Sequence, residues 1–297
     1  MSGFDVVCVG ESMALVTPDP PAPLALGGRM RLDVAGAEST VACYLAMLGA
    51  RTAWASRVGD DPLGELILSR IRSCGVDTSL VEIDPSAPTG VFFKDPGVRT
   101  QVYYYRAGSA ASRLGPDLLP SLSGLVHLSG ITPALSASCA ELVEQILASP
   151  SPVSFDVNYR PGLWSPAGAG PVLRKLAARA ELVFVGLDEA QALWGVAGPD
   201  EVRDLLPSPE TVVVKDGAAG AYSYGPAGTV FVPAPAVDVV EPVGAGDAFA
   251  AGYLYGRLRA LPETARLRLG HLVAGAALRV TGDVGVLPPT AELLALL

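Results

Sequence analysis

Short apolar runs rich in β-branched residues recur along this chain, and between them lie stretches whose apolar positions fall three and four apart. Val6 to Val9 is the first run; closed by Gly10-Glu11, it predicts a buried strand feeding a ligand-facing loop. Ala37 to Leu48 carries Val41, Leu45 and Leu48 at helical spacing and stops at Gly49, a C-terminal cap residue. Thr52 to Val58 predicts a strand, Leu63 to Cys74 a helix stopped by Gly75, and Leu80 to Ile83 a strand. The rhythm resumes with a strand at Gly124 to Leu128, a helix at about Ala137 to Leu147 and a strand at Val153 to Val157. Leu182 to Val185 predicts a strand, Asp188 to Trp194 a helix, Thr211 to Val214 a strand, and Ala221 to Tyr224 with Thr229 to Val232 a hairpin. A helix opens at Asp247 and runs to Leu258, a long one spans about Glu263 to Val280, and a short one closes the chain near Ala291.

Two segments stand outside this alternation. Residues 12–35 are proline-rich and weakly periodic, and within residues 86–107 two extended pieces, Thr89 to Lys94 and Thr100 to Arg106, flank the turn Asp95-Pro96-Gly97. Alternating strands and helices predict an α/β domain with a mostly parallel sheet covered on both faces, whose ligands bind beyond the carboxyl ends of the strands. A single domain across residues 1–297 is expected, with the two odd segments forming a small β-flap, or lid, over the crevice. One face of that flap would expose some of Val91, Phe93, Val102 and Tyr104, too large an apolar patch to leave wet.

Half of the 297 residues are hydrophobic, enough for a large core, and the formal charge of −9 argues against nucleic acid or an anionic membrane as the main partner. An anionic substrate must then be met by local positive charge. Cys8, Cys43, Cys74 and Cys139 are widely spaced in apolar surroundings and, with two histidines, make no metal-cluster pattern, so reduced, buried packing residues are expected. The N-terminus carries no signal-peptide pattern and no long unbroken apolar stretch follows, which predicts a cytoplasmic protein.

The chemistry concentrates at Pro242-Val243-Gly244-Ala245-Gly246-Asp247. Small residues after a proline, leading into an apolar run, predict a tight turn opening a buried helix, whose free N–H groups suit a phosphate. Asp247 beside an anion site would repel the anion unless it takes a proton from an attacking hydroxyl; the plainer alternative is a helix cap. A helix N-terminus should lower its pKa. Five loops are expected to meet at one crevice: Gly10-Glu11, Asp156 to Arg160, Gly186 to Glu189, Lys215 to Gly220, and the Gly244 turn.

Pro242 to Phe249 resembles the C-terminal signature of ribokinase-like (PfkB) sugar kinases, and Ala35-Gly36-Ala37-Glu38 through Leu48-Gly49 to Arg57-Val58-Gly59-Asp60-Asp61-Pro62-Leu63-Gly64 resembles the N-terminal one. Tyr103 to Ala110, Asp156-Val157-Asn158-Tyr159-Arg160 with Leu163-Trp164, and Gly282-Asp283 are most similar to 2-keto-3-deoxygluconate kinases within that family. The resemblance implies a three-layer ribokinase-like sandwich with a lid, and ATP-dependent phosphorylation of a primary hydroxyl with Mg²⁺. It implies that Asp247 accepts the hydroxyl proton while the N–H groups of Gly244, Ala245 and Gly246 hold the phosphoryl group in flight. Asn158, Arg160, Lys215, Gly217, Gly220, Gly244, Gly246 and His271 would face ATP, although the glycines could also serve turns and His271 the core. Gly36, Tyr104, Arg106, Arg160 and Asp283, with Asp247, would line the sugar site. In a protein of charge −9 the two arginines either meet a sugar-acid carboxylate or pair with a structural carboxylate such as Asp156 or Asp283.

There are departures from the family pattern. Thr40 and Gly186 stand where many relatives have asparagine, leaving Glu189 to hold Mg²⁺ through water, and Glu241-Pro242 replaces a frequent Asp-Thr, which leaves the monovalent-cation site of those relatives open here. The resemblance also implies that two flaps cover each other in a homodimer. Other readings are a kinase for a neutral ketose such as fructose, a nucleoside kinase, or a non-catalytic sugar sensor.

Overall fold

The structure, a computed structural model, describes residues 3–96, 101–121 and 124–297. The chain opens with β1 (Val6–Val9), β2 (Met13–Pro18), β3 (Met30–Ala35), α1 (Ala37–Leu48), β4 (Thr52–Gly59), α2 (Pro62–Ser73) and β5 (Val81–Asp84). It continues through β6 (Val91–Asp95), β7 (Gln101–Tyr105), β8 (Leu125–Ser129), α3 (Ala137–Ala148), β9 (Val153–Asp156), α4 (Pro166–Ala177) and β10 (Leu182–Gly186). The last part holds α5 (Leu187–Trp194), α6 (Pro199–Leu205), β11 (Thr211–Asp216), β12 (Gly220–Gly225), β13 (Gly228–Pro233), α7 (Ala245–Leu258), α8 (Glu263–Ala277) and α9 (Thr290–Ala295).

Nine strands form one sheet in the order β13-β12-β11-β10-β9-β8-β1-β4-β5. From β5 to β11 the pairings are parallel, and β12 and β13 add an antiparallel edge. Both faces are covered. Val6 and Cys8 of β1, with Trp54 and Phe184, pack under α1, α7 and α8; Val7 and Val9 face the other way, with Val126, Phe155 and Val185, under α3 and α4. Two buried faces explain why these strands read as unbroken apolar runs rather than as alternating ones. Among the described residues, no helix is long and apolar enough to cross a membrane.

The helix α1 begins and ends where its spacing predicts, because Gly49 at φ 101 takes the left-handed cap conformation. Asp61 caps α2 by accepting from the N–H groups of Leu63 and Gly64, so that helix starts at Pro62. Helices α4 and α6 are additions to the sequence reading. Gly168, Gly170 and Pro171 obscure the periodicity of α4, yet Ser165 accepts from Gly168 N and Pro166 occupies the first turn, a regular helix start. The long C-terminal helix stops at Ala277, short of Val280.

The flap is a second sheet in the order β3-β2-β6-β7. Its side chains alternate between two faces, which divides the residues expected on one apolar patch: Val102 and Tyr104 line the crevice with Phe92 and Lys94, whereas Val91 and Phe93 point away. Gly97 of the expected turn and Thr100, the expected start of the second extended piece, lie outside the described residues. The four cysteines are free thiols, as expected; Cys8, Cys43 and Cys139 are buried, whereas Cys74, just past the end of α2, is only half-buried, with its thiol on Arg70 O at 3.6 Å.

Candidate active site

Pro242 restricts the approach to the turn, and Gly244 then adopts φ 79, the left-handed conformation, with a virtual Cβ only 3.0 Å from the Asp283 carbonyl oxygen. Only glycine fits there without strain. The turn delivers the chain into α7, whose first N–H groups have no acceptor within the helix. Of the three donors expected at the anion site, that of Ala245 is directed at Pro242 O at 3.4 Å, a long bond that leaves it weakly engaged.

Asp247 sits in the first turn of α7 and makes no cap; the helix-cap alternative is thereby set aside. Its Oδ1 accepts from Asn158 Nδ2 at 3.0 Å, and Asn158 reaches it from a left-handed backbone at φ 41, a conformation asparagine tolerates better than most residues. Burial pushes the Asp247 carboxyl up to about 6, with the Asp156 carboxylate adding to the rise and Arg160 and Lys215 opposing it. The helix terminus therefore loses to desolvation, and the expected lowering is reversed. Asp283 is driven in the same direction, to about 7, first by burial and then by Asp247.

These groups line a cavity of about 390 Å³ together with Gly36, Tyr104, Arg106 and Arg160, so the structure brings the expected sugar-side residues into one crevice. The arginines do not pair with Asp156 or Asp283. Arg106 is bound to Glu11, whose other oxygen accepts from Ser109 Oγ at 2.7 Å, and Arg160 lies 3.5 Å from Glu189. Asp156 is taken instead by Lys215, at 2.7 Å. Arg106 still has an unmet donor: its Nε is buried and without a partner, and its guanidinium lies 5.5 Å from the centre of the Tyr104 ring.

A second cavity, of about 690 Å³, adjoins the first at Lys215, Pro242 and Gly246. Gly217, Gly220, Ala245 and His271 line it, beside mostly apolar neighbours. His271 both lines this cavity and packs into the core. It packs edge-on against Phe249 and bonds Val232 O through Nε2 at 3.1 Å, and burial holds its pKa below the ordinary value, so it is neutral. Lys215 stays charged: burial pulls its pKa down, but the Asp156 and Glu189 carboxylates outweigh that and hold it above the ordinary value.

Glu189 accepts from Gly186 N at 3.0 Å, while burial raises its pKa. Among the described residues no three His, Cys, Asp or Glu side chains gather closely enough to hold a metal directly. Oδ1 of Asp156 and Oδ1 of Asn158, both buried and unpartnered beside Asp247 and Lys215, are nonetheless unmet acceptors of the type a hydrated Mg²⁺ uses.

Two charged residues that line the cavity were not among the expected site residues. Lys94 lines the crevice from the flap and pairs with Glu241, just before the turn; in sequence each is an ordinary charge, and only the fold brings them together. Glu38, buried in the first turn of α1, lines the same cavity and accepts from Ser129 Oγ at 2.6 Å and Thr132 Oγ1 at 2.8 Å.

Residues 4–290 match the model of the pfkB family carbohydrate kinases. The chain is 36% identical to the 2-dehydro-3-deoxygluconokinase of Thermoproteus tenax, over 97% of this chain and 93% of that one. It is 35% identical to the enzyme of the same name from Bacillus subtilis, over 99% and 95%. Among solved structures, a PfkB protein from Polaromonas sp. JS666 superposes with a TM-score of 0.89 at 35% identity, covering 99% of this chain and all of that one.

Proposed function

This chain belongs to the pfkB family of carbohydrate kinases, and on that premise we propose that it transfers the γ-phosphoryl group of ATP to the terminal hydroxyl of 2-keto-3-deoxygluconate or a closely related sugar acid. The observation that carries the sugar-acid assignment is the buried, unpartnered Nε of Arg106 on the wall of the crevice that holds Asp247. A planar guanidinium with a donor to spare suits a carboxylate, and a desolvated donor left unmet is costly. The names of the Thermoproteus and Bacillus relatives point to the same substrate.

In this reading the sugar hydroxyl lies between Asp247 and the turn. Its oxygen forms the bond to the γ-phosphorus as the bond to the bridging oxygen of ATP breaks, ADP leaves, and the hydroxyl proton passes to Asp247. A pKa near 6 keeps Asp247 ionised at neutral pH and close enough to the working pH to be an effective acceptor. Asn158 fixes one carboxylate oxygen, leaving the other free for the substrate. The N–H groups of Gly244, Ala245 and Gly246 and the ammonium of Lys215 meet the charge on the transferring group, and the apolar cavity beside His271 takes the adenine. Mg²⁺ carried by the nucleotide would supply charge neutralisation there, with Glu189, Asp156 and Asn158 the residues suited to its water shell. The lid excludes water, and we further propose that its outer face pairs with a second copy of the chain.

The test compares wild type and Arg106→Ala on 2-keto-3-deoxygluconate and on fructose. Wild type is expected to prefer the sugar acid, and the variant to lose about 30-fold or more in kcat/KM on it, the lower end of what removing a buried charged partner costs, with little change on fructose. Equal losses on both, or a wild-type preference for fructose, would replace this reading with that of a neutral-sugar kinase.

A further inference from the structure

The inner face of the lid carries charge, and that charge reaches the two loops that flank the catalytic turn. Lys94 on β6 pairs with Glu241, and the two side chains keep only 11% and 16% of their exposure. Glu241 lies three residues before Gly244, and its strand of loop is tied down by bonds from Val240 N and Glu241 N to Leu278 O, at 2.8 and 3.3 Å. On the other side, Arg31 Nη2 of β3 donates to Thr281 O at 3.4 Å, and a Cβ on Gly282 would stand 2.9 Å from the Asp33 carboxylate. The Asp283 backbone that follows is what Gly244 packs against. Lid, anion turn and Asp283 are thus joined through two polar contacts, Lys94 with Glu241 and Arg31 with Thr281, and through the close packing of Gly282 on Asp33 and of Gly244 on Asp283.

Resting on the kinase reading above, we infer that Lys94 is a positioning residue, whose ion pair with Glu241 fastens the lid to the anion-binding turn, so that covering the sugar and setting the Gly244 turn become one event. The pair is largely desolvated, and burial pulls the Lys94 pKa below its ordinary value. Removing Lys94 would leave Glu241 charged in the crevice wall without its partner, and removing Glu241 would leave Lys94 to the Asp283 carboxylate alone, each a larger loss than that of an exposed pair. Lys94 does not line the nucleotide cavity, so nucleotide binding should not register the change.

Steady-state kinetics, with sugar and ATP varied separately, would be run on wild type, Lys94→Met, Glu241→Gln, the double variant and Lys94→Arg, with melting temperatures alongside. The expected result is a loss in kcat of about 30-fold or more for each single neutral variant, as for a broken buried charge pair, with KM for ATP unchanged. The double variant should lose no more than either single, because both act through one contact, and Lys94→Arg should recover most of the rate. Wild-type kcat in Lys94→Met, losses that multiply in the double variant, or a rise in sugar KM for Lys94→Met that Glu241→Gln does not share would each overturn the inference, the last by making Lys94 a sugar contact. If Lys94→Met does not fold, Glu241→Gln decides alone, since it is isosteric, and a wild-type rate there overturns the proposal. A wild type that phosphorylates no sugar would overturn the kinase reading itself, which the variants do not address.

Discussion

At the scale of single residues, Asp247 shows what a motif reveals and what it hides. Its position beside a Gly-Ala-Gly turn singles it out in the sequence, but the direction of its pKa shift comes from burial and from Asp156, 91 positions away in the chain and brought near only by the fold. The electrostatics of the arginines were hidden for the same reason, since Glu11 and Glu189 are their partners and nothing local announces it. Two outcomes follow for Asp247. Because the base must be ionised, kcat/KM for the sugar should rise about tenfold per pH unit up to about pH 6 and then level off. Asp247→Asn should lose at least about 100-fold in kcat, within the usual worth of a general base, and should also be more stable than wild type at pH 8. The sign follows from linkage. A carboxyl whose pKa rises from about 3.9 unfolded to about 6 folded holds more protons when folded across that window, so stability falls as pH rises through it, by on the order of 2–3 kcal/mol. Thermal melts of ligand-free protein should show the gain of the variant at pH 8 and none at pH 4; no gain at pH 8 would mean that neighbouring charges compensate the burial.

At the scale of elements, local signals that name their own boundaries were legible and those that depend on packing were not. Helix α1 was readable to the residue from its spacing and from Gly49, and β1 from its apolar run. Helix α4 was not, because Gly168, Gly170 and Pro171 contradict helix propensity in isolation and are tolerated only where Leu173, Leu176 and Ala177 gain a buried face. The anion turn is an element of the first kind, and its geometry makes a prediction. Gly244→Ala would place a side chain at φ 79, costing roughly 1–2 kcal/mol for the left-handed backbone, and would press its Cβ to within 3.0 Å of the Asp283 carbonyl. Relief requires the turn to shift, which misaims the N–H groups. Activity should fall by about 100-fold or more, as when a preorganised anion-hole donor is lost, while the melting temperature drops by only a few degrees. A variant with wild-type kcat would show that the turn is not the site of phosphoryl transfer.

At the scale of the whole molecule, the lid was legible as the two segments that break the strand-helix rhythm, but which face they bury was not, since that depends on a register set by pairing across the chain. With the register known, the outer face can be followed strand by strand. Near the body Ala14 and Val34 are buried, and farther out Met30, Leu32, Tyr103 and Tyr105 are exposed, Tyr105 at 67%, with Phe93 half-buried between them. The inner face holds Arg31, Asp33, Lys94 and Arg106, so it cannot turn outward to hide the apolar one. A contiguous apolar sheet face of this kind is what soluble monomers avoid, and a second lid offers the matching surface. Light scattering at micromolar concentration should give twice the 30.5 kDa chain mass. Tyr105→Glu, at the most exposed of these aromatic positions, should shift the mass toward one chain without unfolding the body, because β7 is an edge strand that touches no part of the main core. A wild-type mass of 30.5 kDa would refute the dimer and leave the lid's outer face to be covered by something else.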